Sequence, residues 1–147
     1  VYLARNQVTE RVFAIKALNA MFSGKADYVE LMKREEQMRM ITHDAVVRYS
    51  DCARSDQGHV FLVMDYVDGP SLNDVMMERR LEEHELLVVA HRVLEGLQAT
   101  HAQGIVHRDL KPANLLAFRD DQDALRLKVI DFGIARLADL AGDAAGR

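Results

Sequence analysis

The two segments that decide the interpretation of this chain are HRDLKPAN, from His107 to Asn114, and DFG, from Asp131 to Gly133. Together they supply two aspartates, a lysine and an asparagine at closely spaced positions. Carboxylate and amide oxygens are ligands that Mg²⁺ accepts, and a lysine ammonium binds phosphate oxygens. The pattern therefore indicates chemistry on a phosphate compound that carries a metal ion.

Composition limits the classes of protein that remain. The chain has 147 residues, the size of one ordinary domain, and 49% of them are hydrophobic, which is enough for a packed core. The net charge of −4 gives no reason to expect binding to nucleic acid or to an anionic membrane. The longest strongly apolar run, Val60–Met64, is too short to span a bilayer, so we expect no membrane segment in this chain.

Cysteine usage and the beginning of the chain bear on its location. Cys52 is the only cysteine, so no internal disulfide can form, which fits a reducing compartment. Arg5 and Glu10 interrupt the apolar pattern that a signal peptide would need. We therefore expect a cytoplasmic chain, or the cytoplasmic portion of a larger protein.

Hydrophobic patterns in the first half of the chain predict a small sheet and one helix. Runs rich in β-branched and aromatic residues, separated by turn residues, predict four strands over 1–4, 12–18, 46–53 and 60–66. Apolar residues at helical spacing predict a helix over 26–41. The turn at Asp68-Gly69-Pro70 then ends the pattern.

The second half is predicted to be mainly helical. Ser71 is a suitable N-cap, with Asp74 three residues later, for a short helix that reaches about Arg80. The longest helical pattern runs over 82–103 and ends before Gly104. One stripe of that helix is predicted to hold Leu86, Ala90, Val93, Leu94, Leu97 and His101. Two short strands follow over 115–118 and 125–130, around an acidic turn.

Taken together, these motifs resemble the eukaryotic-type (Hanks-type) Ser/Thr protein kinase catalytic domain, from Val1 to about Leu137 and in the family's order. The resemblance implies an α+β, two-lobe fold that is incomplete here. Residues 1–66 would form an N-lobe of antiparallel sheet plus one helix, and 67–147 a partial, mainly helical C-lobe. The ligand cleft would lie where the lobes join.

The resemblance also implies a reaction, the transfer of a phosphoryl group from Mg²⁺-bound ATP to Ser/Thr hydroxyls of a protein substrate. Asp109 would orient the substrate hydroxyl, and Lys111 would neutralise the γ-phosphate. Lys16, which ends the strand segment FAIK, would pair the α- and β-phosphates. A glutamate would orient that lysine, and Glu35 is our choice, with Glu36 as the alternative.

Two further sets of residues follow from the same resemblance. Asn114 and Asp131 would bind the Mg²⁺ ions. The adenosine part of ATP would be read by backbone groups of a hinge and by apolar side chains, and the matching positions are Val1, Ala14, Lys16, Met64, Asp65, Val67, Ser71 and Leu116. Several of these also have ordinary structural explanations, since Ser71 is a helix N-cap and the apolar residues suit a core.

Neighbouring residues receive structural interpretations. His107 is expected to pack beneath Phe132, and Arg108 matches the arginine that pairs with a phosphate on the activation loop in activated family members. The remaining histidines and Cys52 do not show the spacing of a zinc site. The acidic turn at Asp120–Asp123 lacks the glycine and downstream glutamate of a calcium loop, so we interpret it as a solvated hairpin tip.

The chain also departs from the family pattern. The Gly-rich phosphate loop would precede Val1, and the Ala-Pro-Glu motif would follow Arg147, so the domain is expected to be truncated at both ends. We expect these residues alone to be inactive or nearly so, with apolar surface of the long helix uncovered.

Two other functions remain open from the sequence alone. The first is a pseudokinase-like nucleotide-binding or scaffolding module, which the missing Gly-rich loop would suit. The second is a small-molecule kinase of the aminoglycoside-phosphotransferase type. That group usually lacks the arginine and Lys-Pro pattern found at Arg108 and Lys111-Pro112, which argues against it.

Overall fold

The computed structural model describes residues 1–18, 33, 36–57 and 59–132. The described residues fall into two compact units. The first unit takes its described residues from Val1–Met40 and Arg48–Tyr66, and the second consists of Ile41–Val47 and Val67–Phe132. The lobe division inferred from the sequence at residues 66 and 67 stays a prediction.

The first unit is built on a four-stranded antiparallel sheet. Its strands are β1 (Tyr2–Arg5), β2 (Val12–Leu18), β3 (Tyr49–Arg54) and β4 (Val60–Asp65), in the order β1-β2-β4-β3. All four predicted strands are present, with small shifts at their ends. In β4, the buried residues Val60, Leu62 and Met64 alternate with partly exposed ones, the pattern of a strand with one face on a core.

The helix predicted over 26–41 lies mostly outside the described residues. Residues 33 and 36–40 are helical, and Met38 is buried in the first unit. The Glu35 position is not among the described residues, so the choice between Glu35 and Glu36 stays a prediction.

The second unit contains two α-helices and a β-hairpin. These are α1 (Leu72–Glu78), α2 (Glu83–His101), a 3₁₀ turn (Pro112–Asn114), β5 (Leu115–Arg119) and β6 (Leu125–Val129). The predicted N-cap of α1 is confirmed, because the Asp74 backbone N–H donates to Ser71 Oγ at 3.2 Å and the Ser71 N–H donates to Asp74 Oδ2 at 3.2 Å. This reciprocal pair is a capping box.

Segment 41–47 packs in the second unit, which the sequence did not predict. Val46 and Val47 were assigned to a strand that in fact begins at Tyr49. Instead, the Val47 N–H donates to the Val129 carbonyl at 3.0 Å, and the Val129 N–H donates to the Ala45 carbonyl at 2.8 Å. Both valines are fully buried there. The two valines do pair as their β-propensity predicts, but their partner is β6 and not the four-stranded sheet.

Part of the apolar stripe predicted on α2 is exposed, which agrees with the expectation that apolar surface of this helix is uncovered. Leu86 is 51% exposed and Leu94 is 66% exposed, whereas the buried residues of the helix are Glu85, Gly96 and Thr100. Gly96 lies on the packed face of the helix: a Cβ there would lie 3.2 Å from the Ala45 carbonyl oxygen, so glycine lets the helix approach segment 41–47 closely. Within the described ranges, we find no helix whose length and apolar character would let it cross a bilayer.

Glu85 is buried because Arg79 binds it at both oxygens. Arg79 NH1 and NH2 lie 2.7 Å from Glu85 Oε2 and Oε1, and the Glu82 backbone N–H donates to Oε2 at 3.0 Å. These hydrogen bonds, the Arg79 pair first, lower the pKa of Glu85 from 4.5 to about 2. Since the folded state holds the proton less tightly than the unfolded state, this contribution is complete above pH 4.5 and is lost as the pH falls towards 2.

We therefore predict a pH-dependent stability difference between the wild-type chain and Glu85→Gln. The wild-type chain should be the more stable at pH 7, and the difference should shrink as urea unfolding is repeated at successively lower pH within the window from 4.5 to 2. Glu83→Gln is the matched control, because Glu83 lies in the same helical turn and is exposed. A Glu85→Gln deficit that does not change with pH would contradict this account.

Candidate active site

The loop before the 3₁₀ turn is held in place by His107. This side chain is only 2% exposed, and its Nε2 lies 2.8 Å from the Ile130 carbonyl oxygen. Because a carbonyl can only accept, Nε2 carries the proton, and Nδ1 accepts the Asp109 backbone N–H at 3.3 Å. The His107 and Phe132 rings lie 4.6 Å apart. The predicted packing of His107 against Phe132 is therefore confirmed.

Three predicted site residues meet directly after this loop. Lys111 Nζ lies 2.8 Å from Asp109 Oδ2. Asn114 Nδ2 donates to the Asp109 backbone carbonyl at 2.7 Å and to Asp109 Oδ2 at 3.2 Å. Asn114 is buried, while Asp109 and Lys111 remain accessible to a ligand. The carboxylate is therefore positioned by two donors, one of which is a buried amide.

Asn114 and Asp131 are brought close by the backbone. The Ile130 N–H donates to the Asn114 carbonyl at 3.0 Å, which continues the pairing of β5 with β6. Asp131 then has a φ of 62°, in the left-handed region that residues other than glycine rarely adopt. Such strain persists only where surrounding structure holds it, and it concentrates at functional sites.

Asn114 is suited to a cation through its remaining oxygen. Its Nδ2 is committed to Asp109, and within the described part of the chain its Oδ1 accepts no hydrogen bond. No group of three or more His, Cys, Asp or Glu side chains among the described residues could hold a metal ion. Any Mg²⁺ bound by Asn114 and Asp131 would therefore need further oxygens, which phosphates and water supply.

The second unit also holds three of the residues assigned to adenosine binding. Ser71 and Leu116 face each other in an isolated antiparallel bridge. Val67 is half-buried, and its backbone N–H donates to no other described residue. That N–H is the group through which the resemblance implies contact with adenine.

The other residues predicted to bind the nucleotide lie on or next to the sheet of the first unit. Ala14 pairs with Met64, Lys16 with Leu62, and Leu3 with Ala14, and paired residues share a face. Val1 precedes β1 and, by alternation, falls on the same face as Leu3. Asp65 follows Met64 on β4, opposite Phe13, and its N–H donates to the Arg48 carbonyl at 2.9 Å.

The structure thus places the predicted residues in two groups, each within its own unit. The first unit contains Val1, Ala14, Lys16, Met64 and Asp65. The second contains Val67, Ser71, Asp109, Lys111, Asn114, Leu116 and Asp131. Glu35 lies outside the described residues, and its alternative, Glu36, is exposed and lines a concavity of the first unit. Sequence reasoning missed the arginines of that same concavity, because they come from three distant parts of the chain.

Comparison with known proteins identifies the family. The model of the protein kinase domain matches residues 1–144, so the chain belongs to the protein kinase domain family. Its fold is accordingly the α+β kinase fold, in an incomplete form. Solved kinase structures agree: the Mycobacterium tuberculosis PknI kinase domain matches with a TM-score of 0.77 at 28% identity, covering 90% of this chain and 54% of that one. Rad53 1-466 in complex with AMP-PNP matches with a TM-score of 0.76 at 28% identity, and the match covers 90% of this chain and 34% of that one.

Curated relatives carry serine/threonine kinase names. Serine/threonine-protein kinase pkn2 of Myxococcus xanthus is 37% identical over 140 residues, which is 95% of this chain and 17% of the relative. Serine/threonine-protein kinase PkaA of Streptomyces coelicolor is 37% identical over 131 residues, 88% of this chain and 24% of the relative. The chain therefore spans about a fifth of the length of these two relatives.

Proposed function

We propose that this chain is the nucleotide-binding part of a Ser/Thr protein kinase, which transfers the γ-phosphoryl group of ATP to Ser/Thr hydroxyls of protein substrates. One observation carries the proposal: the Asp109 carboxylate lies 2.8 Å from Lys111 Nζ and 3.2 Å from Asn114 Nδ2, and Asn114 in turn sits beside the segment that leads into Asp131. The kinase names of the relatives support the same activity.

Asp109 acts on the substrate hydroxyl in this proposal. Its carboxylate accepts the hydroxyl hydrogen and directs the oxygen at the γ-phosphorus, while the bond between that phosphorus and the β–γ bridging oxygen breaks. Asn114 donates one hydrogen bond to the carboxylate and a second to the backbone carbonyl of Asp109, and together these keep the carboxylate in its orientation. In this proposal the main contribution of the carboxylate is to position the hydroxyl for attack.

Lys111 and Lys16 supply positive charge in the proposal. Lys111 already lies beside Asp109, where the transferred phosphoryl group would come, so it can neutralise charge that develops there. Lys16 projects from β2 on the sheet face that carries Ala14 and Met64, and its proposed role is to pair the α- and β-phosphates of ATP.

Asn114 and Asp131 are the proposed ligands of Mg²⁺. When bound, the ion neutralises phosphate charge and fixes the triphosphate for in-line attack. The adenine ring is read by the Asp65 carbonyl and the Val67 N–H, and it packs against Val1, Ala14, Met64 and Leu116, with Ser71 near the ribose. We also propose a cytoplasmic location, and the ATP dependence of the proposed reaction supports it.

The alternative of a scaffolding module gains no support from the described residues, because Asp109, Lys111, Asn114 and Asp131 are all present in a connected arrangement. That these 147 residues alone transfer phosphate slowly or not at all stays a prediction. Mixing the chain with γ-labelled ATP and a serine peptide tests it directly.

We predict that a non-hydrolysable ATP analogue with Mg²⁺ raises the melting temperature of this chain. At a ligand concentration of 100 times Kd the stabilisation is about 2.7 kcal/mol, which corresponds to about 5–10 °C for a domain of this size. AMP is the control, because it has the adenosine but lacks the phosphates that Mg²⁺ and the lysines bind. Equal shifts with AMP and with the analogue, or no shift with either, would sink the proposal.

A further inference from the structure

The first unit contains a polar concavity on which the proposed phosphate transfer does not depend. Its volume is about 490 Å³. The charged residues that line it are Arg11, Arg39, Arg48 and Glu36, and Met40, Tyr49 and Ser50 complete its lining. Its lining thus contains three arginines and one glutamate, and the formal charge stays positive when Asp65, the partner of Arg11, is counted, in a chain whose overall charge is −4.

The Arg11 guanidinium is fixed in position. Its NH2 lies 2.8 Å from Asp65 Oδ1, and its CZ atom lies 5.3 Å from the centre of the Phe13 ring. The ion pair uses one nitrogen and the cation–π contact uses the flat face, which leaves other N–H donors at the edge for a ligand. A guanidinium that is already positioned loses less rotamer entropy when it binds an anion.

Arg48 is held at its backbone while its side chain remains available. Its carbonyl accepts the Asp65 N–H at 2.9 Å, just before β3 begins. Within the described residues, the exposed Arg48 side chain makes no hydrogen bond or ion pair. Asp65 therefore contacts both arginines. Its carboxylate binds the Arg11 guanidinium, and its backbone N–H binds the Arg48 backbone carbonyl.

We propose that this concavity binds a phosphate monoester. Guanidinium groups bind phosphate oxygens in pairs of parallel hydrogen bonds, and several around one concavity suit a dianion better than a monoanion. The volume falls within the range of small-molecule sites, which is larger than an inorganic phosphate needs. It leaves room for the group that carries the phosphate, such as the side chain of a phosphorylated serine.

The test is a calorimetric titration of this chain with O-phosphoserine, inorganic phosphate and serine. Saturable binding of O-phosphoserine, with no binding of serine, is expected. Tighter binding of O-phosphoserine than of inorganic phosphate would support a phosphate monoester as the ligand. Tighter binding of inorganic phosphate, equal binding of serine, or no saturable binding of O-phosphoserine would overturn the proposal.

Variants connect the binding to the arginines. Arg48→Ala should weaken O-phosphoserine binding about tenfold, because it removes a charge-assisted hydrogen bond that solvent weakens in this open concavity. Arg48→Lys keeps the positive charge but cannot form the paired hydrogen bonds of a guanidinium. Its affinity for O-phosphoserine should therefore lie between those of the wild-type chain and Arg48→Ala. Arg5→Ala, which removes an exposed arginine of the same sheet that pairs with Glu10, should bind as the wild type does.

A final variant separates this concavity from the proposed nucleotide site. O-phosphoserine should bind Asp131→Ala with unchanged affinity, since Asp131 belongs to the second unit and does not line the concavity. Circular dichroism spectra of every variant establish that each is folded. Wild-type affinity in a folded Arg48→Ala chain, or its loss in a folded Asp131→Ala chain, would overturn the assignment.

Discussion

Asp131→Ala is expected to abolish the Mg²⁺-dependent part of the stabilisation by an ATP analogue, whereas Asp109→Asn retains it. The physical reason is that the two aspartates have different proposed partners. Asp131 would bind the metal ion that neutralises the triphosphate, and a lost carboxylate ligand leaves those phosphates uncompensated. Asp109 would bind the acceptor hydroxyl, which is not present in this measurement.

The size of the effect follows from mass action. With the analogue at 100 times the wild-type Kd, stabilisation is about 2.7 kcal/mol, and a hundredfold loss of affinity would reduce it to about 0.4 kcal/mol. The measurement is the melting temperature with the analogue, with and without Mg²⁺, for the wild-type chain and for both variants. An Mg²⁺-dependent shift that survives in Asp131→Ala would contradict the metal assignment.

Asp109→Asn is a well-matched control because it changes the local structure little. Asn114 Nδ2 still has the residue 109 backbone carbonyl, its shorter contact at 2.7 Å. The variant replaces a carboxylate oxygen that Lys111 contacts at 2.8 Å, so it removes an ion pair but adds no bulk. Any phosphate transfer to a serine peptide that the wild-type chain shows should fall by about 10²–10⁴-fold in this variant.

The catalytic loop and the strands could be predicted from sequence because their signals are local. The sequence HRDLKPAN places Asp109, Lys111 and Asn114 within a few residues, and the structure shows their side chains in contact. Alternating burial in β4 likewise follows directly from alternating side chains on a strand. The Ser71 cap was predictable for the same reason, since its partner is three residues away.

Features that depend on distant partners could not be predicted. Val46 and Val47 have the β-propensity of a strand, and nothing local shows that they pair with Val129 rather than joining the four-stranded sheet. The buried face of α2 contains Glu85, which hydropathy alone would place in solvent. Glu85 can be buried because Arg79 pairs with its carboxylate.

Gly69→Ala is expected to destabilise the second unit strongly. Gly69 lies between β4 and α1, and a Cβ there would collide with the Ala117 carbonyl oxygen. Neither backbone can retreat easily. Ala117 is buried in β5 opposite Leu127, and its N–H donates to the Pro70 carbonyl at 2.9 Å, which ties the two segments together.

We expect Gly69→Ala to cost about 3 kcal/mol, the upper part of the usual range for added atoms in packed positions. Thermal unfolding should show a decrease of about 5–10 °C in melting temperature. Gly104→Ala is the matched control. A Cβ at Gly104 meets open space, but its φ of 72° is unfavourable for alanine, so we expect a smaller cost of about 1 kcal/mol. Equal costs for the two substitutions would contradict the contact with the Ala117 carbonyl oxygen as the reason for glycine at position 69.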